Sequence, residues 1–114
     1  MSGITTHVLD LKTGLPARGV AVRLEILSTE RGWTTLGDRV TDDDGRVRDF
    51  IPQGARLDPG IYRLTFLTGE YFRAQGGPAF HPEVAVSFEV TDASRAHHVP
   101  LLVSPFGYTT YRGS

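Results

Sequence analysis

Apolar and polar residues alternate in short runs along most of this chain. From Val20 to Leu27, Val20, Val22, Leu24 and Ile26 fall on one side, and Ala21, Arg23 and Glu25 on the other. Pro82 to Val90 does the same with Val84, Val86, Phe88 and Val90. A period of two is what a half-buried strand presents, because successive side chains point to opposite faces. Runs of similar character span Ile4–Leu11, Trp33–Val40, Arg46–Ile51, Gly60–Leu67, His97–Val103 and Gly107–Arg112. Turn chemistry separates them: Lys12-Thr13-Gly14-Leu15-Pro16, Glu30-Arg31-Gly32 and Asp42-Asp43-Asp44-Gly45. Only Gly69–Gln75 reads as helix, with Tyr71 and Phe72 reaching the core and Gly76-Gly77-Pro78 ending it. Short strands at this spacing predict a two-sheet β-sandwich, since one helix cannot cover the faces of a parallel α/β sheet.

Length and composition narrow the setting. A chain of 114 residues with 39% apolar and 22% charged residues reads as one globular domain, 1–114. Twelve basic residues against thirteen acidic ones, with no polybasic run, argue against a nucleic-acid partner or an electrostatic membrane anchor. No apolar run approaches the ~20 residues of a membrane helix. The start, Met1-Ser2-Gly3-Ile4-Thr5-Thr6-His7, lacks the basic and apolar regions of a secretory signal. With no cysteine, there are no disulfides and no thiolate chemistry. The expectation is a cytoplasmic protein.

The candidate chemistry lies in four histidines, an arginine after an acidic turn, and the C-terminus. Strand parity divides the adjacent pair: His98 shares a face with Pro100 and Leu102, and His97 with Val99, Leu101 and Val103. One site can therefore use only one of them. His7 shares its face with Thr5, Leu9 and Leu11. The spacing offers no three-histidine metal motif. Asp42–Asp44 lacks the spaced ligands of a calcium loop and reads as a solvated turn. Arg46 and Arg48 follow this turn, and either could clamp an anion. The chain keeps strand character almost to its end, where Tyr111 shares a face with Thr109, opposite Tyr108, Thr110 and Arg112. Taken alone, the residues name no substrate.

Several segments together carry a resemblance: Thr6-His7-Val8-Leu9-Asp10, Gly14-Leu15-Pro16-Ala17, Thr41-Asp42-Asp43-Asp44-Gly45-Arg46, His98-Val99-Pro100-Leu101-Leu102 and the terminal Tyr111-Arg112-Gly113-Ser114. Over its whole length the chain resembles the 5-hydroxyisourate hydrolases, the enzyme branch of the transthyretin-like family. The terminal tetrapeptide distinguishes that branch from the hormone carriers. The resemblance implies a transthyretin-like all-β sandwich of two four-stranded sheets with one short helix. It also implies a homotetramer whose sites lie in a channel where two dimers meet, and a cofactor-independent hydrolysis. His7, Arg46, His98 and Ser114 would be catalytic, and His7, Arg46, Tyr111 and Arg112 would bind substrate. The rival class is a carrier that binds a small aromatic ligand in the same channel without turnover.

Overall fold

The structure is a computed structural model and describes residues 3–114. Two sheets face each other. The first contains β1 (Gly3–Asp10), β2 (Leu15–Pro16), β5 (Arg46–Val47), β8 (Ala96–Ser104) and β9 (Gly107–Thr110). The second runs in the order β4 (Gly32–Val40), β3 (Ala21–Ser28), β6 (Gly60–Phe66) and β7 (Val84–Val90). The helix α1 (Thr68–Ala74) follows β6. β2 and β5 are two residues each and both pair with β1, opposite β8, so the first sheet is four positions wide. The two-layer sandwich anticipated from the alternation is the architecture observed.

The core follows from the period of two. On β1, Ile4, Thr6, Val8 and Asp10 are buried, while Thr5, His7 and Leu9 are half-exposed. β3 sends Val22 and Leu24 inward against Tyr62, Leu64 and Phe66 of β6. Each such side chain contributes about 1.5–3 kcal/mol by leaving water. A register shift between Leu24 and Glu25 breaks the alternation there, and Ile26 is only partly buried. From α1, Phe72 enters the core, and Tyr71 donates its hydroxyl to the buried Asp10 carboxylate at 2.9 Å. Lys12 N satisfies the other Asp10 oxygen at 2.8 Å.

Most elements fall within a residue or two of the sequence expectation; three departures matter for the first sheet. The strand expected over Arg46–Ile51 ends at Val47; beyond it the chain leaves the sheet and buries Phe50 in the core. The strand expected to reach Arg112 ends at Thr110, although a single bridge joins Gly113 to His98. Leu15–Pro16, read as part of a turn, is the short strand β2.

Candidate active site

The site lies on the outer face of the first sheet and is set by strand register. β1 and β8 run parallel, placing Thr5 beside His98 and His7 beside Pro100. On its other edge, β1 pairs with β5, placing His7 directly opposite Arg46. At the far side, Gly113 pairs with His98. One row across the sheet is therefore Thr5, His98 and Gly113. The next, two residues along β1, contains Arg46, His7 and Pro100. Both histidines and the arginine share one face, with Thr5 and His98 hydrogen-bonded through Oγ1 and Nδ1 at 2.8 Å. Thr5, Arg46 and His98 also line an open cavity of about 700 Å³ bounded by Ile51, Gln53 and Gly54.

The acidic turn positions the arginine. Asp42 Oδ1 accepts from the backbone N–H groups of Asp44 and Arg46, both at 2.9 Å. Those backbone bonds hold the Asp42 carboxyl below the usual range. Asp42 Oδ2 takes Arg48 at 3.1 Å, and Asp43 pairs with Arg18 at 3.0 Å. Among the described residues Arg46 has no ion pair, so its guanidinium is available to an anion or an oxyanion. Gly45 sits at φ +74°, where a side chain would also run into the Val8 carbonyl. The turn can therefore close tightly against β1. Among the described residues no three metal-ligating side chains converge.

Burial and charge keep both rings neutral near pH 7. Burial lowers the His7 pKa from 6.5, and the Arg46 charge lowers it further, against the opposing pull of the Asp44 backbone and the Asp44 and Asp42 carboxylates. His98 is lowered by burial, then by Arg46 and by His7. Neutral imidazole can accept a proton from water, which an imidazolium cannot.

The C-terminal residues divide. Gly113 N donates to the His98 carbonyl at 2.8 Å, and Thr110 Oγ1 donates to the Pro100 carbonyl at 2.7 Å, pinning the last turn of chain to β8. Tyr111 is 58% exposed and Ser114 is exposed. Arg112 and Tyr111 line a second cavity of about 240 Å³ with Val86, Phe88 and His97; Arg46 does not border it, and His98 borders both cavities. His97 is buried, and among the described residues its Nδ1 has no hydrogen-bond partner. Two contributions escaped the sequence reading. Parity makes Thr5 only a neighbour of His7 on its face, and its bond to His98 depends on a pairing 93 residues apart. The other is the tight packing of Gly113: a Cβ there would sit 2.5 Å from His98 Cδ2 and 3.2 Å from Pro100 Cγ. Gly113→Ala should therefore displace the His98 ring or the terminal segment. The expected result is at least tenfold lower turnover, in the range of about a hundredfold for an ångström of misplacement, with little change in the melting midpoint.

A family model described as HIUase/Transthyretin family matches residues 4–113. The chain belongs to that family. It is 46% identical to a 5-hydroxyisourate hydrolase of Caulobacter vibrioides, with all of both chains covered. A solved 5-hydroxyisourate hydrolase of Klebsiella pneumoniae superposes with a TM-score of 0.85 at 38% identity, again over all of both chains. Sea bream transthyretin, solved with thyroxine, superposes with a TM-score of 0.89 at 32% identity, over 96% of this chain and 93% of that one. The backbone alone therefore fits hydrolase and carrier alike.

Proposed function

We propose that the chain is a 5-hydroxyisourate hydrolase, opening the ring of 5-hydroxyisourate by hydrolysis to give 2-oxo-4-hydroxy-4-carboxy-5-ureidoimidazoline in urate breakdown. The observation that carries this reading is the half-buried cluster of His7, His98 and an arginine without an ion-pair partner. A carrier for an apolar ligand gains nothing by desolvating such groups. Water adds to the ring carbonyl carbon, and its proton passes to a neutral imidazole. Arg46 stabilises the oxyanion or holds the substrate's oxygens through two N–H groups. Collapse breaks the C–N bond. The proton is returned to the departing nitrogen, leaving a carboxyl group and a ureido group. His7 and His98 share this proton traffic, Tyr111 bounds the pocket, Ser114 supplies its carboxylate to orient a histidine or Arg46, and Arg112 binds from the rim. No cofactor is required by this chemistry.

The working assembly is a cytoplasmic homotetramer with sites in the channel between dimers. Supporting this are Leu11 and Leu15 beside β1 and Tyr111 at the terminus, 54%, 62% and 58% exposed, large apolar groups for a partner to cover. Among the described residues no helix is long and apolar enough to cross a membrane.

The test is the ultraviolet decay of freshly generated 5-hydroxyisourate with and without the protein. Acceleration supports the hydrolase, and unaccelerated decay with ligand binding supports the carrier. Because both histidine pKa values lie below 6.5, the rate should hold through neutrality and fall as pH drops beneath that value and the rings take up protons. A rate already falling between pH 8 and 7 would exclude these rings as the bases.

A further inference from the structure

We infer that Thr5 is a positioning residue that donates its hydroxyl proton to His98 Nδ1, fixing His98 as the tautomer with its proton on Nε2. The bond measures 2.8 Å between Thr5 Oγ1 and His98 Nδ1. A threonine hydroxyl has one proton to give. The neighbouring Thr6 gives its own to the Val99 carbonyl at 2.5 Å, and Thr110 gives its own to the Pro100 carbonyl at 2.7 Å. Among the described residues Thr5 has no carbonyl acceptor; His98 Nδ1 is its one partner. Were Nδ1 the protonated nitrogen, the hydroxyl proton would be left without a protein acceptor. Burial of the ring and the nearby Arg46 and His7 all disfavour a second proton on it.

The consequence divides the labour of the two histidines, and it rests on the hydrolase reading above. With Nδ1 accepting from Thr5 and Nε2 carrying the proton, His98 has no lone pair to offer water. It presents an N–H donor to the substrate, to an oxygen gaining negative charge or to the departing nitrogen. Water activation falls to His7. The ring is bonded at Nδ1 by Thr5, and Gly113, whose N–H bonds the His98 backbone carbonyl, leaves no room for a side chain beside Cδ2.

The experiment is nitrogen-15 spectroscopy of the imidazoles at neutral pH in wild type, Thr5→Val and Thr5→Ser, with kcat and KM measured on the same samples. In wild type His98 should carry its proton on Nε2. Thr5→Val keeps the shape and removes the hydroxyl; the second tautomer should become populated and kcat should fall about tenfold, as for one neutral hydrogen bond, with KM changed by less than about twofold. Thr5→Ser should restore both the tautomer and kcat. A wild-type His98 protonated on Nδ1 overturns the inference, as does a valine variant with unchanged tautomer and kcat. The spectra need no substrate. Wild type that shows the expected tautomer without hydrolysing 5-hydroxyisourate would sink the hydrolase reading and leave the Thr5–His98 assignment standing.

Discussion

His98→Ala should lower turnover by about a hundred- to ten-thousandfold, the usual loss on removing a general acid–base group or an oxyanion donor, while the protein stays folded. His97→Ala should do the reverse. The two residues are adjacent, but β8 sends His97 into the sandwich and His98 to the outer face. Among the described residues His97 makes no hydrogen bond through Nδ1, and it lies in a different cavity from Arg46. Truncating it removes packing and costs stability, about 1–3 kcal/mol, without touching the reacting groups. Steady-state kinetics and thermal unfolding of both variants check the pair. Equal losses of activity would mean that the division of faces does not govern the chemistry.

Arg46→Lys should cost far more activity than Arg48→Lys, by about tenfold to a hundredfold against less than about twofold. Arg46 stands opposite His7 with no carboxylate partner among the described residues. Its planar fork can meet two oxygens at once, whereas an ammonium offers a point charge. Arg48 borders the same cavity but is engaged with Asp42 and more than half exposed, and exposed pairs of this kind contribute little. Comparing kcat/KM for the two variants decides the matter; matching values close to wild type would remove Arg46 from the mechanism.

The sequence made some of this legible because its signals are local. Period two separated His97 from His98 and placed His7 on a face with Thr5, and both follow from neighbouring residues alone. The turn at Asp42–Gly45 was readable from its composition. Its reason was not: Asp42 serves as acceptor for the backbone of Arg46 and for the side chain of Arg48, and this leaves Arg46 unpaired. The pairing of β1 with β8 has no local signature, so Thr5 could not be tied to His98. The strand expected over Arg46–Ile51 was cut short because Phe50 is worth more in the core than in a ladder. The two-residue β2 contains Pro16, which has no N–H to advertise it. The family resemblance supplied the convergence of His7, Arg46 and His98 that spacing left open.

The parallel pairing of β1 with β8 carries a cost in time as well as in space. Thr5 and His98 are 93 positions apart, and closing a loop of that length opposes folding by about 4 kcal/mol in chain entropy, plus a constant. Contacts of such long range are slow to form. In the second sheet the hairpin of β3 with β4 forms from nearby chain, and β6 pairs with β7 across only α1 and its loop. The proposed site thus draws His7 and His98 from distant parts of the polypeptide. A chain released early from synthesis, or clipped in any middle loop and separated, would keep at most its local pairings and lose the proposed site. Recovery of activity during refolding would then report the closing of the first sheet rather than the appearance of β-structure.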